Sequence, residues 1–383
     1  NSLDLHDEDE AIFIDDKSGV ELPTPLVRSA RKQEIGVMTE MKVYDKIPKR
    51  VMELRGGEMI DVRWLDINKA EFGLPPDVRS RMVARDFATE ARDDIFVGTP
   101  ALEALKLLLS LVASSGKGRR PTKRIMILDV KRAFLYAEMK RELYIKLPAE
   151  ATEGDTEEMV GLLKKAMYGT REAPQSWQHH VTEILHSLGF KAGKANPCVF
   201  RHEGRDLAVT VHVDDFLVSG LSQDLKWLKE EFDKHFESKS SILGDGPGEV
   251  KTAKYLGRTL IWGPDGISYE HDPRHVETIL KDLGMIDCNG VDTPGVKDAP
   301  SDDDPKLASG ESTKMRKVIA TMNYISQDRM DLGYAVKECT RGMSAPTDRT
   351  VRLVKRVGRY LRKHPRMVNF FKWQEEPKGF VTY

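Results

Sequence analysis

Cysteine is scarce in this chain. Its three cysteines, Cys198, Cys288 and Cys339, lie far apart and are odd in number. Such spacing encodes neither a disulfide framework nor a zinc site of the CxxC type. We therefore expect the protein to work in a reducing, intracellular compartment.

Long apolar runs are absent as well. No stretch reaches the length of a membrane span, and the polar start, NSLDLHDEDE, is unlike a signal peptide. These absences predict a soluble protein without a membrane partner. The chain begins without Met and stops at GFVTY, which has the pattern of a beginning strand, so we expect a piece of a longer polypeptide.

An excess of charge of one sign is also missing, because 60 Lys and Arg residues face 61 Asp and Glu residues. Their distribution is uneven. Residues 1–25 carry eight acidic residues and one Lys, whereas residues 344–372 carry nine Lys or Arg residues and one Asp. A neutral protein with this asymmetry can still present a basic surface to a polyanion. With 383 residues, 40% of them hydrophobic, the chain can form two or three subdomains.

The most informative stretch that is present runs from Leu207 to Gly220. Apolar, β-branched residues lead to Val213, the pair Asp214-Asp215 follows, and the apolar run then resumes. This pattern predicts two strands that meet at a tight turn containing both aspartates. Adjacent carboxylates raise each other's pKa unless a cation offsets their charge. The pair is therefore either part of a divalent metal site or a solvated turn.

A further carboxylate, Asp129, follows the apolar segment Ile125–Leu128, which predicts a buried strand. A helix N-cap is the alternative role for this residue. If neighbouring strands bring Asp129 to the acidic pair, the carboxylates can hold two metal ions about 4 Å apart. Nucleotidyl transfer needs that arrangement, because the ions activate the attacking hydroxyl and stabilise charge on the phosphorus.

Arginines alternate with small or apolar residues between Arg79 and Arg85. In a strand, these arginines would share one face, which could clamp a polyphosphate or protect a sheet edge by its charge. Upstream, residues 1–25 are predicted to be a mobile lead-in, residues 24–43 a helix, and residues 44–66 a hairpin.

Apolar stripes predict further helices. The first opens at Thr99-Pro100, with Thr99 as its N-cap. Others are predicted from Ser176 to Gly189, from Ser222 to Phe236, from Asp272-Pro273 to Gly284, and at 313–326, 331–343 and 346–364.

Three ordered strings resemble the copia-type retrotransposon reverse transcriptases. They are LDVKRAFLYAEM from Leu128, LLKKAMYGTREAPQSWQ from Leu162 and VHVDDFLVSG from Val211. The resemblance extends to Arg79–Arg85 as the fingers segment, to Lys254-Tyr255-Leu256-Gly257 as the primer-grip turn, and to Val291–Pro294 as the following junction. It covers residues 40–365.

The resemblance implies an α+β fold with the right-hand arrangement of polymerases: fingers, palm and thumb. The palm would be a ferredoxin-like antiparallel sheet backed by helices on one face, and the chain would end in a helical connection. Residues 1–40 would be an acidic N-terminal lead-in with a short helix, and 41–260 the fingers and palm. Residues 261–345 would be the thumb, and 346–383 a basic helix and connection that leads towards a ribonuclease H domain.

The resemblance also implies roles for single residues at the catalytic centre. Asp129 and Asp214 would ligate two magnesium ions, with manganese as an alternative, and Asp215 would support them. Phe134 would be an aromatic gate that excludes a ribose 2′-hydroxyl, or else a plain core residue. The incoming nucleotide would be bound by Lys69, Arg79, Arg81, Phe134, Tyr168 and Gly169.

A second set of residues would bind the primer and template. His212 departs from the family, which usually has Tyr two places before the acidic pair. A His can stack on the primer end, or it can ligate a metal, although magnesium favours oxygen ligands. The basic helix at 346–364 either contacts the template–primer backbone or is a solvated face. The implied primer and template residues are His212, Tyr255, Leu256, Gly257, Arg352, Arg356 and Arg359.

The implied function is RNA-directed DNA polymerase activity, which adds deoxynucleotides to a primer on an RNA or DNA template. The other expected partners are deoxynucleoside triphosphates and the integrase and ribonuclease H segments of a Pol polyprotein. The expected location is the cytoplasm or virus-like particles, with nuclear access. One alternative is a nucleotidyl cyclase with a palm-like sheet, which would need neither a fingers segment nor a long basic helix. The other is a non-catalytic nucleic-acid-binding remnant of a decayed element.

Overall fold

A computed structural model describes residues 12–70, 73–87, 97–116, 122–297 and 304–375. The helices in this part of the chain are α1 (Thr24–Glu40), α2 (Lys49–Leu54), α3 (Leu102–Ala113), α4 (Ala149–Thr152), α5 (Ala173–Ser187), α6 (Ser222–Asp233), α7 (Arg274–Leu283), α8 (Ser309–Ser326), α9 (Gly333–Arg341) and α10 (Asp348–Lys363). A short 3-10 helix spans Ala133–Tyr136. None of these helices is long and apolar enough to cross a membrane.

The strands confirm the predicted mixture of helix and sheet. They are β1 (Phe13–Ile14), β2 (Glu21–Leu22), β3 (Tyr44–Pro48), β4 (Met59–Ile60), β5 (Val62–Asn68), β6 (Val78–Ala84), β7 (Arg124–Val130), β8 (Tyr144–Lys146), β9 (Met159–Leu163), β10 (Lys191–Ala192), β11 (Val199–His202), β12 (Leu207–His212), β13 (Asp215–Gly220), β14 (Ser238–Leu243), β15 (Thr252–Tyr255), β16 (Arg258–Trp262), β17 (Gly266–His271) and β18 (Asn369–Lys372).

The largest sheet has six strands in the order β10-β11-β12-β13-β7-β14, and all neighbouring strands are antiparallel. Its central elements follow one another along the chain as β7, α5, β12, β13, α6 and β14. This β-α-β-β-α-β succession places the strand that carries Asp129 beside the strand that begins at Asp215.

Both faces of this sheet are covered, which differs from the predicted single layer of helices. Helices α5 and α6 lie on one face, where Trp177, Phe216 and Phe232 belong to one core. Helix α3 lies on the other face and packs there through Leu109 and Val112. Strands β12 and β13 are near-continuous apolar runs, because a strand buried on both faces needs apolar residues at successive positions.

A second group of elements packs around β6. It contains the ribbon β5-β6, the sheet β3-β9-β8-β4 and helix α1, which share a core that includes Met38 and Met82. Arg31 of α1 forms ion pairs with Asp66 at 2.6 Å and with Glu150 at 2.9 Å. These contacts fix α1 onto β5 and α4.

Two predictions for this region are wrong. Residues 44–66 do not form a hairpin, because β3 pairs with β9, β4 pairs in parallel with β8, and α2 lies between β3 and β4. Residues 12–22 are not an unstructured lead-in, because β1 pairs with β2 and the Asp15 carboxylate accepts the N–H groups of Lys17 and Ser18. The first part of the predicted lead-in, residues 1–11, lies outside the described residues.

The last part of the chain combines the sheet β15-β16-β17-β18 with helices α7 to α10. Ile279, Val318, Val336 and Val354 come from these four helices and share one core. Two of the predicted domain boundaries therefore do not match the packing. The boundary at 260/261 falls within β16, and the boundary at 345/346 separates α10 from the helices that share its core.

The other predicted helices are present, with ends that differ by up to four residues. Helix α3 begins at Leu102, after Ala101, so Thr99 is not its N-cap. Helix α7 ends as predicted at Gly284, which adopts the left-handed conformation (φ 66°) that favours glycine at this position.

Candidate active site

Strand register brings the sequence-predicted carboxylates together. Asp215 of β13 lies directly opposite Asp129 of β7 in the antiparallel ladder. The carbonyl oxygen of Asp214 accepts the N–H of Val130 at 3.0 Å, so the hairpin turn is tied to the same strand. Asp129 is thus a strand residue rather than a helix N-cap. The acids that stand far apart in the sequence form one cluster at the end of two interior strands of the six-stranded sheet.

The hairpin turn differs by one residue from the prediction. Val213 and Asp214 form the turn, and Asp215 already belongs to β13, where it pairs with His212. Val213 has a φ of 58°, a conformation that is an outlier for a β-branched residue. The buried Trp177 donates its indole N–H to the Val213 carbonyl at 2.6 Å. A tertiary contact therefore holds the strained turn that presents Asp214.

The cluster is electrostatically unfavourable without a cation. Burial, Asp214 and Asp129 together raise the pKa of Asp215 to about 6. Burial also raises the pKa of Asp214, as does Asp129, while Arg81 and His212 act in the opposite direction. A divalent cation beside these carboxylates would favour their charged forms, because an opposite charge lowers a carboxylate pKa.

The donor set fits magnesium. Asp129 and Asp214 line one cavity and offer carboxylate oxygens, which Mg²⁺ prefers. Among the residues that the structure describes, no group of three or more His, Cys, Asp or Glu side chains is arranged to hold an ion. Magnesium tolerates such a site, since it is commonly held by one or two carboxylates while substrate oxygens and water complete its coordination.

The cavity has a volume of about 310 Å³ and is lined by both acidic and basic side chains. Asp129 and Asp214 line it together with Arg79 and Arg81 of β6. As predicted, β6 points its arginines outward while Ser80 and Met82 between them are buried. The structure therefore joins the predicted polyphosphate clamp to the predicted metal site.

Several residues that line this cavity were not predicted from the sequence. Lys131 and Arg132 directly follow the strand that carries Asp129, so their place in the chain was the available signal. Lys239 lies opposite Asp129 on β14, a pairing that only the sheet order reveals. Residues of helix α1 also line the cavity, and no sequence motif predicted this. The unpredicted polar residues are Gln33, Glu34, Asp77, Ser80, Lys131, Arg132 and Lys239.

Three other predicted nucleotide residues, Phe134, Tyr168 and Lys69, are not among the residues that line the cavity. Phe134 and Tyr168 are in ring contact, with centroids 5.2 Å apart, and the Arg81 guanidinium lies over the Tyr168 ring at 4.9 Å. Lys69 is exposed at the end of β5, where its N–H bonds to the Asp77 carbonyl at 2.8 Å, and it is not among the residues that line the cavity.

Gly169 allows a close approach, but towards another strand of the protein. Its φ is 85°, and a Cβ atom there would lie 2.1 Å from the carbonyl oxygen of Ala84. The neighbouring Tyr168 carbonyl accepts the Ala84 N–H at 2.7 Å. Gly169 thus lets the chain lie against the end of β6, which carries Arg79 and Arg81.

A second cavity, of about 280 Å³, is lined in part by Thr210 and His212 of β12, the first strand of the acidic hairpin. His212, Tyr255 and Leu256 line it together with Tyr324 and Gln327 from the end of α8. Leu256 and Gly257 both have positive φ, at 47° and 72°, as the two central residues of a type I′ turn require. Four of the predicted primer and template residues are therefore neighbours.

A buried ion pair holds this turn against α8. The Arg258 guanidinium bonds to Asp328 at 2.9 Å, and its Nη1 atom donates to the Leu256 carbonyl at 2.6 Å. The Tyr324 hydroxyl donates to the same carbonyl at 2.9 Å. Arg258 is 5% exposed and Asp328 is 1% exposed. The turn and the end of α8 are consequently one rigid contact.

The other predicted template residues, on α10, bind the protein's own chain. Arg356 donates to the Thr293 carbonyl at 2.9 Å, Arg359 donates to the Asn289 carbonyl at 2.8 Å, and Arg352 lies 3.4 Å from Asp304. They line neither of the two cavities. Their contact with template and primer stays a prediction.

Comparison with known proteins identifies the family of this arrangement. A family model described as reverse transcriptase (RNA-dependent DNA polymerase) matches residues 46–297. The retrovirus-related Pol polyprotein from transposon RE1 of Arabidopsis thaliana is 28% identical over 259 residues, which cover 64% of this chain and 16% of that protein. The one from transposon TNT 1-94 of Nicotiana tabacum is 25% identical over 303 residues, which cover 74% and 22%.

The chain is also similar to solved structures. A foamy viral protease–reverse transcriptase in complex with double-stranded DNA has a TM-score of 0.44 and 9% identity, with 91% of this chain and 49% of that chain covered. The chain spans less than a quarter of the length of the plant polyproteins it matches.

Proposed function

Because the chain belongs to the reverse transcriptase (RNA-dependent DNA polymerase) family, we propose that it is the RNA-directed DNA polymerase of a copia-type retrotransposon. The observation that carries this proposal is the single cavity that Asp129 and Asp214 line together with Arg79 and Arg81. A deoxynucleoside triphosphate bound there would bring its phosphates to both the carboxylates and the arginines.

The carboxylates and the arginines would have separate roles in the proposed reaction. Asp129 and Asp214 would hold two magnesium ions, or manganese ions, and Asp215 would add negative charge beside them. When bound, such ions lower the pKa of an attacking hydroxyl and stabilise charge on the transferred phosphorus. Arg79 and Arg81 would neutralise the triphosphate, because planar guanidinium groups match phosphate oxygens in geometry and charge.

The primer is assigned to the second cavity. His212 would stack on the terminal base of the primer, and Tyr255, Leu256 and Gly257 would contact the primer strand. Both cavities adjoin the same hairpin, so a primer end in the second cavity would reach the carboxylates in the first. We assign the six-stranded sheet to the palm, the elements around β6 to the fingers, and helices α7 to α10 to the thumb.

The proposed partners follow from this assignment. They are a primed RNA or DNA template, deoxynucleoside triphosphates, and the integrase and ribonuclease H segments of a Pol polyprotein. The relatives named above are such polyproteins. The location we propose is the cytoplasm or virus-like particles, with access to the nucleus.

Magnesium-dependent extension of a primed RNA template tests the function. We expect labelled primer to lengthen only when template, deoxynucleoside triphosphates and magnesium are all present. A product that forms without any primer would instead indicate a cyclase. Primed template that is bound but never extended would indicate a non-catalytic nucleic-acid-binding remnant.

Phe134, which contacts Tyr168, has a predicted gate role that gives a test of the choice between deoxynucleotides and ribonucleotides. Phe134→Ala removes a ring that would pack against the sugar, so the preference for deoxynucleotides over ribonucleotides is expected to fall on the order of a hundredfold. The ratio of the two kcat/KM values measures this preference. Phe370→Ala, at an exposed position of β18, is the matched control. An unchanged ratio in Phe134→Ala would remove the gate role and leave core packing.

Gly257 provides a test of the primer assignment. Gly257→Ala adds a Cβ atom 2.7 Å from the Tyr324 hydroxyl at a residue with a φ of 72°. The turn must shift, so we expect the KM for primed template to rise several-fold while the KM for the nucleotide stays constant. Gly56→Ala is the control, since Gly56 also has positive φ (62°) but an added Cβ meets no atom within 4 Å. If Gly257→Ala and Gly56→Ala had the same KM for primed template, the turn would have no role in primer binding.

A further inference from the structure

Helix α1 precedes the region that matches the family, yet it forms part of the first cavity. The family match begins at residue 46, whereas α1 spans Thr24–Glu40. Ala30, Gln33 and Glu34 of α1 line the cavity together with Arg79 and Arg81. The ion pairs of Arg31 with Asp66 and Glu150 keep this face of the helix in place.

Glu34 is an unusual residue for this cavity because it is a buried acid among arginines. It is 5% exposed, and its Oε1 atom has no hydrogen-bond partner among the described residues. Its Oε2 atom lies 3.8 Å from Nε of Arg132. Burial raises the pKa of Glu34, while Arg132, Arg81, Arg79 and the Met82 N–H favour its charged form.

Arg132 is itself held in a costly conformation. Its backbone is left-handed, with φ 55° and ψ 40°, just before the 3-10 helix. This region is unfavourable for a non-glycine residue, so the surrounding structure must enforce it. The Arg132 side chain lines the cavity, and Glu34 is its ion-pair partner there.

We propose that Glu34 is a positioning residue that holds Arg132, and through its charge Arg79 and Arg81, in the arrangement that receives a triphosphate. This inference rests on the proposed function, because it names a further determinant of the same nucleotide site. The three arginines line one cavity, where like charges repel one another. The buried Glu34 carboxylate, on whose charge all three act, offsets that repulsion, so less side-chain freedom is lost when the phosphates bind.

Glu34 also has an effect that opposes phosphate binding. A carboxylate close to the phosphates repels them, and its removal would then strengthen binding. Glu34 is 5% exposed and its Oε2 atom lies 3.8 Å from Nε of Arg132, so its carboxylate is a fixed partner that orients a guanidinium. We therefore expect the loss of order to outweigh the loss of repulsion.

The test compares Glu34→Gln, which keeps shape and removes charge, with Glu34→Asp, which keeps charge. Glu40→Gln is the matched control, since it makes the same chemical change at an exposed position of α1. Steady-state extension gives KM for the nucleotide and kcat. Calorimetry with inorganic tripolyphosphate and magnesium gives the affinity of the site for phosphates without turnover, and thermal melting monitors the fold.

Glu34→Gln is expected to raise the nucleotide KM about tenfold and to weaken tripolyphosphate binding by a similar factor, with kcat nearly unchanged. Glu34→Asp is expected to recover part of both losses, and Glu40→Gln to match the wild type. An unchanged or lower KM in Glu34→Gln at unchanged melting temperature overturns the proposal. If Glu34→Gln does not fold, an Arg132→Gln variant with wild-type KM and tripolyphosphate affinity overturns it as well, because Glu34 is proposed to act through Arg132.

The two readouts separate this inference from the proposed function. Glu34-dependent binding of tripolyphosphate by a protein that extends no primer would support the positioning role and refute the polymerase. Normal primer extension by the wild type and by Glu34→Gln alike would support the polymerase and refute the positioning role.

Discussion

Asp214→Asn is expected to abolish primer extension, with a loss on the order of a thousandfold or more, while the fold remains intact. The amide is neutral and a poor ligand for magnesium, so the variant would lose half of the carboxylate pair that lines the cavity with the arginines. Burial and Asp129 raise the pKa of Asp214, which means that its charged form is unfavourable in the ion-free protein. The neutral variant should therefore melt at the same temperature as the wild type or slightly higher at neutral pH without magnesium.

Extension rate, melting temperature and affinity for primed template together check this expectation. Asp287→Asn is the matched control, because Asp287 is an exposed acid away from both cavities. Extension retained by Asp214→Asn would rule out the catalytic assignment. Loss of extension together with a large fall in melting temperature would point to a structural role instead.

Asp328→Ala is expected to lower the free energy of unfolding by about 3–5 kcal/mol, the usual effect of leaving a buried charge without its partner. Asp328 is 1% exposed and pairs with Arg258, which is 5% exposed. The Tyr269 hydroxyl also donates to the Asp328 carboxylate, whereas Asn369 donates to the Asp328 backbone carbonyl, which the variant keeps. The variant thus disturbs β16 and β17 together with the end of α8.

Urea unfolding measures this effect. Asp282→Ala provides the control, because its pair with Lys317 is largely exposed and is expected to contribute about 0–1 kcal/mol. The double variant Arg258→Met with Asp328→Leu should recover most of the stability, since an apolar pair of similar volume removes the unpaired charge. A loss below about 1 kcal/mol in Asp328→Ala would show that water, rather than Asp328, satisfies Arg258.

The part of the site that could be predicted from the sequence follows from local patterns. β-Branched apolar runs before and after an acidic pair predict a hairpin. An apolar run that ends in an Asp predicts a buried strand that can lie beside this hairpin. Alternation of Arg79 and Arg81 with smaller residues specifies which side chains share a face. In each case the side chain's direction follows from the strand period alone.

The remaining features depend on contacts between distant segments. The shift of the turn to Val213-Asp214 depends on the Trp177 N–H, which comes from a helix on another part of the chain. The parallel pairing of β4 with β8 has no local turn signal. Glu34 shows only a helical pattern until α1 is packed on β6 and its face towards the arginines is known.

The partners of the arginines on the basic helix α10 also depend on contacts with a distant segment. Its arginines are self-repelling when read along the sequence, and nucleic acid was the expected counter-charge. In the folded chain, carbonyl oxygens of residues 289 and 293 accept their hydrogen bonds. A local charge count does not include backbone acceptors from another segment.

The order of strands in the large sheet also determines when it can form during synthesis. β7 lies between β13 and β14, and both partners leave the ribosome long after it does. The apolar β7 must therefore remain unpaired while α5 and β12 are translated, a stage at which a chaperone would protect it from aggregation. Nascent chains arrested before residue 215 should accordingly be digested at β7 by a protease, whereas chains arrested well beyond residue 243 should resist cleavage there.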